Sequence, residues 1–148
     1  MTKKILYLDM DGVMVDFEGG IDKLTDAEKI EWEGDYDKHP EIFSLMPPMP
    51  GALDAYDKLV NCGKYDVYFL STVPWGNPIA AMHKIEWVKK YIPTAFKNII
   101  MSHHKNLNKG DILIDDRLRN GVEGFEGKHI HFGTEMYPNW DVVLEELL

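Results

Sequence analysis

Four short apolar runs, Ile5–Leu8, Val67–Leu70, Ile99–Met101 and Ile112–Ile114, show no alternation of polar and apolar residues. A strand with one wet face alternates, so an unbroken run of this kind marks a strand covered on both faces, as in a parallel sheet. Helical patterns fall between and after these runs. Leu53, Tyr56, Leu59 and Val60 form an apolar stripe over 51–62, stopped by Gly63. Asn77-Pro78 opens another helix, with Ile79, Met82, Ile85 and Val88 facing inward. His129–Phe132 reads as a short outer strand, and Asn139 is placed to cap a last helix carrying Trp140, Val143, Leu144 and Leu147. Strands alternating with helices imply βαβ units with right-handed crossovers. The expected fold is α/β, a Rossmann-like three-layer α/β/α arrangement around a mainly parallel sheet.

Two of the runs end in paired acids. Ile5–Leu8 delivers Asp9 and Asp11, followed by Gly12, and Ile112–Ile114 delivers Asp115 and Asp116. In open α/β sheets ligands bind at the carboxyl ends of the strands, which is where these acids fall. An Asp-Gly turn is the plainer account of the first pair, because both residues are common in turns. A calcium-binding loop does not fit, since it needs a longer ladder of acids between two helices. If the two strands are neighbours, the acids repel one another strongly unless a divalent cation lies among them. All-oxygen ligands of this kind suit Mg²⁺. The other two runs end in Ser71-Thr72, whose hydroxyls can grip phosphate oxygens, and, after a short loop, in Lys105, whose ammonium can contact a phosphoryl group.

The order Asp-x-Asp-Gly-Val, Ser-Thr, Lys, Asp-Asp resembles the motifs of the haloacid dehalogenase-like (HAD) phosphohydrolases. Within them, Asp9-Met-Asp-Gly-Val-Met-Val-Asp-Phe-Glu18, Pro50-Gly-Ala-Leu-Asp-Ala55 and Leu113-Ile-Asp-Asp-Arg117 resemble the 5'(3')-deoxyribonucleotidase family, as does the step from Lys105 to Asp115. The resemblance covers residues 3 to about 133. It implies Mg²⁺-dependent hydrolysis of a phosphomonoester through an aspartyl-phosphate. Asp9 would be the nucleophile, and Asp11 the acid that protonates the leaving oxygen and then deprotonates water. The metal would lie among Asp9, the Asp11 carbonyl, Asp116 and the phosphate, with Asp115 holding metal-bound water, and Ser71, Thr72 and Lys105 would hold the equatorial oxygens. Three readings stay open: a deoxyribonucleotide 5'- or 3'-phosphatase, a phosphatase of a sugar phosphate or other small metabolite, and a non-catalytic nucleotide- or metal-binding module.

Residues 10–66 are too long for a plain crossover, since compact domains rarely carry such loops. Thr25-Asp-Ala-Glu28 fits a capping box, placing a helix near 25–33, and Pro47-Pro48 and Pro50-Gly51 punctuate the return. The resemblance implies a catalytic core of residues 1–16 and 47–148 and a small helical cap over 17–46, shorter than the insert of family members with established nucleotide pockets. A decorative subdomain or a dimer contact is the plainer account. Phe17, eight residues beyond Asp9, matches the family's base-contacting aromatic, and Phe43 is a further candidate for that wall. Trp32 and Tyr36 read as the insert's own small core. Arg117 either orients sugar or base or pairs with Asp115 or Asp116. Trp75-Gly76 either lines the pocket entrance or shapes a turn. His103-His104 precede Lys105 with no required role. His129 and His131 share a strand face but lack further zinc ligands at suitable spacing.

The chain has 148 residues, 45% apolar, enough for one domain with a proper core. Its formal charge of −9, with no basic stripe, argues against a nucleic-acid polymer as partner. A mononucleotide differs, because a local metal and Lys105 can attract it despite the global charge. The single cysteine, Cys62, excludes an internal disulfide and suits a reducing compartment. A strand beginning at Lys3 leaves no room for a signal peptide, and no stretch reaches transmembrane length, so the expectation is a cytoplasmic protein without membrane contact. A homodimer is compatible with all of this.

Overall fold

Each of the four unbroken apolar runs becomes a strand of one parallel sheet, and the segment around His129–His131 adds a fifth at its edge. In the computed structural model, which describes residues 2–148, these are β1 (Lys4–Leu8), β2 (Tyr65–Ser71), β3 (Ile99–Met101), β4 (Ile112–Asp115) and β5 (Lys128–His131). Their order is β3-β2-β1-β4-β5, all parallel. The chain winds one way from β1 through β2 to β3 and the other way through β4 to β5. The sheet's switch point therefore lies between β1 and β4, where ligands of such folds bind.

Alternate residues of each strand enter two apolar layers. Leu6, Leu8, Val67, Phe69, Ile112 and Ile114 share one face with α3 (Ala52–Asn61), α4 (Ala80–Tyr91) and α5 (Trp140–Leu147). Tyr7, Leu70 and Leu113 lie on the other, against Val122 and Phe125. That second face is covered by the segment around the 3₁₀ turn at Val122–Gly124, which packs on a further 3₁₀ turn at Lys105–Leu107. Asn139 caps α5 by accepting the Val142 amide at 3.1 Å, and the helix buries Trp140, Val143, Leu144 and Leu147 as expected. No helix among the described residues is long and apolar enough to cross a membrane.

Two helix faces differ from the sequence reading. In α3, Leu53 and Val60 are about a third exposed, while Ala52, Ala55, Tyr56 and Leu59 are buried. In α4, Ile79, Met82 and Ile85 lie outward and only Val88 of the expected stripe is buried. The inner face is Ala80, His83, Lys84, Trp87 and Val88. The reason is chemical: a lysine on that face has carboxylate and hydroxyl partners beneath it, so a polar group takes the buried position that hydrophobic periodicity assigns to isoleucine.

Residues 17–46 hold α1 (Phe17–Ile21), α2 (Asp26–Glu31) and 3₁₀ turns at Tyr36–Lys38 and Ile42–Ser44. The capping box of α2 forms, with the Glu28 amide donating to Thr25 Oγ1 at 3.2 Å and the Thr25 amide to Glu28 Oε1 at 3.1 Å. The two ends of the insert lie side by side, since the Asp16 amide donates to the Pro47 carbonyl and the Met49 amide to that of Met14, both at 2.8 Å. Ile42, Phe43 and Met46 enter the main apolar layer with Val13 and Met14. Asn77 ties the start of α4 to the insert through its side-chain amide, which donates to the carbonyls of Asp37 at 3.0 Å and His39 at 2.9 Å.

Candidate active site

Strand register brings the two acid pairs together. Leu8 pairs with Ile114, and the Asp9 amide donates to the Ile114 carbonyl at 2.9 Å, so Asp9 leaves β1 beside Asp115. The chain then turns sharply at Gly12, whose φ of 80° suits glycine, and a side chain there would run into the Asp116 carboxylate. Glycine thus allows the second acid pair to close on the first. Asp9, Asp115 and Asp116 each offer a carboxylate oxygen, all within 4.8 Å of one another.

Lys105 lies buried among them, its Nζ 3.1 Å from Asp9 Oδ1 and 2.6 Å from Asp115 Oδ2. Burial pulls this ammonium down, but Asp9 and Asp115 more than offset it, so its pKa stands above the ordinary value. Burial pushes the Asp9 carboxyl up to about 7, with Asp115 and Asp11 adding to the shift and Lys105 and Lys84 opposing it. Burial and the neighbouring Asp9 push Asp116 to about 7 as well. These groups resist ionising together in the absence of further positive charge.

A second lysine, which the sequence reading overlooked, completes the charge arrangement. Lys84 of α4 is almost fully buried and donates to Asp11 Oδ2 at 2.9 Å, Ser71 Oγ at 2.7 Å and the Thr72 carbonyl at 3.1 Å. Its ammonium also lies 4.8 Å from the centre of the Phe43 ring. No sequence signal marked it, since Lys84 falls outside the apolar stripe of Ile79, Met82, Ile85 and Val88, where a lysine reads as a surface residue. Four carboxylates thus face two ammoniums, a formal excess of two negative charges once all four are ionised. Asp11 Oδ1 and Asp116 Oδ1 are buried with no hydrogen-bond partner among the described residues. Charge, the donor set of Asp9, Asp115 and Asp116, and the orphaned Asp116 Oδ1 all fit a hard divalent cation such as Mg²⁺.

Above this floor opens a cavity of about 950 Å³, within the size range of small-molecule sites. Of the residues proposed from the sequence to bind substrate, Phe17, Phe43, Thr72, Lys105 and Arg117 line it. Ser71 does not: it is fully buried, and its hydroxyl is taken by Lys84, because the alternation along β2 turns it inward. Thr72 faces the cavity with its hydroxyl donating to the Ser102 carbonyl at 2.7 Å. Arg117 forms no ion pair with Asp115 or Asp116. Only its backbone amide reaches Asp115 Oδ1, at 3.0 Å. Phe17 and Phe43 meet edge to face at 5.9 Å.

Tyr36 does two things: half-buried, it packs against the apolar core that the insert shares, and it also lines the cavity, its hydroxyl donating to the Lys29 carbonyl at 3.0 Å. Trp32 packs against the buried His39, in keeping with the expectation that it belongs to the insert's own core. Trp75 and His103 also line the cavity, whereas His104 does not. His129 and His131 serve neither zinc nor packing alone. Each ring Nε2 lies 3.0 Å from a backbone carbonyl of the acid pair, that of Asp115 for His129 and that of Asp116 for His131, and so donates to the loop that carries the acids.

The family model described as "5' nucleotidase, deoxy (Pyrimidine), cytosolic type C protein" matches residues 20–140. A Vibrio phage KVP40 protein provisionally named 5'(3')-deoxyribonucleotidase is 49% identical, over 98% of this chain and 85% of its own. The 5'(3')-deoxyribonucleotidase of Bacillus subtilis is 39% identical over 99% of both chains. Among solved structures, a Bacillus subtilis HAD hydrolase crystallised with magnesium superposes with a TM-score of 0.68 over 99% of both chains, at 11% identity, a likeness of fold. Motifs, fold and relatives agree, and the chain belongs to the 5'(3')-deoxyribonucleotidase family of HAD-like hydrolases.

Proposed function

We propose that the protein is a Mg²⁺-dependent phosphomonoesterase that releases phosphate from deoxyribonucleoside 5'- or 3'-monophosphates, with the phosphoryl group carried transiently on Asp9. One observation carries this reading: Asp9, Asp11, Lys105, Asp115 and Asp116 converge at the floor of a cavity large enough for a mononucleotide. The relatives' names supply the substrate class, as do Phe17 and Phe43 on the same cavity.

Asp9 attacks phosphorus through a carboxylate oxygen as the bond to the sugar oxygen breaks. Asp11 delivers its proton to that leaving oxygen. Lys84 holds Asp11 Oδ2, so the unpartnered Oδ1 is the atom placed to carry the proton. In the second half Asp11 takes a proton from water, whose oxygen attacks phosphorus and displaces Asp9. Lys105 anchors Asp9 and Asp115 and presents positive charge where phosphoryl oxygens collect it, with Thr72 beside it. Ser71 acts at one remove, through Lys84. Mg²⁺, when bound by Asp9, Asp116 and the Asp11 carbonyl with Asp115 nearby, supplies charge neutralisation for the phosphate and the nucleophile.

Residues 17–46 act as the cap that bounds the nucleotide and limits water. The free, half-buried Cys62 suits a reducing cytoplasm. The test is phosphate release in Mg²⁺ over deoxynucleotides, ribonucleotides and sugar phosphates. Deoxynucleotides should be hydrolysed fastest. A hexose or ribose phosphate that outran all of them would overturn the substrate, and release from none would overturn the enzyme.

A further inference from the structure

Trp75 is 91% exposed, the most exposed large apolar side chain among the described residues. The other tryptophans whose surroundings are apolar behave differently: Trp87 and Trp140 are buried, and their indole N–H groups donate to the carbonyls of Met46 and Val13. The Trp75 indole N–H donates to nothing among the described residues. An exposed indole forgoes the burial that makes tryptophan useful in a fold, so its position asks for a ligand.

That position is well defined. Trp75 lines the cavity above the carboxylates and meets the His103 ring edge to face, 5.8 Å between centres. His103 in turn donates through Nε2 to the Val73 carbonyl at 2.7 Å. Two more bonds join the loops that follow β2 and β3, from Thr72 Oγ1 to the Ser102 carbonyl at 2.7 Å and from the Ser102 amide to the Ser71 carbonyl at 2.8 Å. The segment is also tied to the insert two residues on, through Asn77. The core thus contributes an aromatic face on a stitched pair of loops, and the insert contributes Phe17, Tyr36 and Phe43 to the same cavity.

We infer that Trp75, backed by His103, is the core-side stacking face for the nucleobase, so that the base lies between Trp75 and the insert's aromatics. This rests on the nucleotide reading above and adds a specificity-determining residue to it. A stacking face is tolerant of base identity, because every base has a π-surface. The site therefore selects for a base on the phosphate ester and discriminates weakly among bases.

Trp75→Ala and Trp75→Phe are compared with wild type on the four deoxynucleoside monophosphates and on glycerol 2-phosphate, which has no ring to stack. Because the side chain is exposed, both variants fold. Trp75→Ala should raise KM for every deoxynucleotide by about 5- to 100-fold, the range for one lost stacking contact. The kcat and the rate on glycerol 2-phosphate should stay put, and Trp75→Phe should recover most of the loss. Titration with thymidine, followed by tryptophan emission, should quench wild type and leave Trp75→Ala unquenched. An unchanged nucleotide KM, or an equal loss on glycerol 2-phosphate, would overturn the inference. If wild type hydrolysed glycerol 2-phosphate but no nucleotide, the substrate reading would fall instead. The thymidine quench would then decide the stacking face by itself, supporting it if present only with Trp75 and overturning it if absent.

Discussion

The floor and the walls of the cavity are built on opposite terms. The floor consists of carboxylates and lysines on strand ends and a helix, largely buried and tied by ion pairs of 2.6 to 3.1 Å. The walls are aromatic, drawn from the insert and from loops, with Phe17 half-buried and Trp75 almost fully exposed. Groups on rigid elements hold the geometry that bond-making needs, and loops adapt to what is bound. Chemistry and selectivity should accordingly be separable by substitution, with floor variants changing kcat and wall variants changing KM.

The largest effect belongs to Asp9→Asn. Removing the proposed nucleophile should lower turnover of every substrate by about 10³-fold or more, with a loss of covalent trapping by beryllium fluoride. Trapping at another residue, or turnover near wild type, would break the assignment. Next is Lys84→Met, which keeps the bulk of the side chain but leaves Asp11 and Ser71 without their partner. We expect kcat to fall by about 10²-fold, with esters of alkaline leaving groups suffering most because proton delivery is what fails. An equal loss on an ester whose leaving group needs no proton would assign Lys84 to the phosphate rather than to Asp11.

Phe17→Ala tests the other side of the comparison. It should raise KM for deoxynucleotides by roughly tenfold while glycerol 2-phosphate is hydrolysed as before. A parallel loss on both esters would make Phe17 a packing residue. The smallest effect is on stability in chelator. Asp9 and Asp116 are raised from 3.8 to about 7 in the fold, so between those values the native state binds more protons than the unfolded chain. Metal-free stability should therefore fall as pH rises through that window and level off above it. Mg²⁺ should raise the melting temperature more at about pH 8 than at about pH 5, since protons no longer compete for the carboxylates. A Mg²⁺ effect that was the same at both, or larger in acid, would contradict the shared carboxylate site.

The contrast also explains what could be read in advance. Asp9 and Asp11, and Asp115 and Asp116, stand at the ends of apolar runs, a pattern confined to a few consecutive residues. Neighbouring strands then bring the pairs together. The capping box of Thr25 and Glu28 and the Asn139 cap of α5 are equally local, and both form. Lys84 was illegible for the opposite reason. A buried lysine is tolerable only where Asp11 and Ser71 meet it, and those partners lie 73 and 13 residues away along the chain. The same lysine turned α4 about its axis relative to the face that hydrophobic spacing implies. That Tyr36 reaches the cavity wall as well as the apolar core was not legible, because an aromatic beside a small helix carries no local sign of which way its edge faces.

By itself, the sequence determined the sheet, its polarity, the place of the acids and the chemistry they suit, because burial on both strand faces and like-charge repulsion are written in short runs of residues. Tertiary structure decided which hydroxyl faces the cavity, which lysine steadies Asp11, and that His129 and His131 brace the loop carrying Asp115 and Asp116. These depend on register and on contacts between distant segments, where a turn of one residue along a strand or of 100° about a helix exchanges inside for outside.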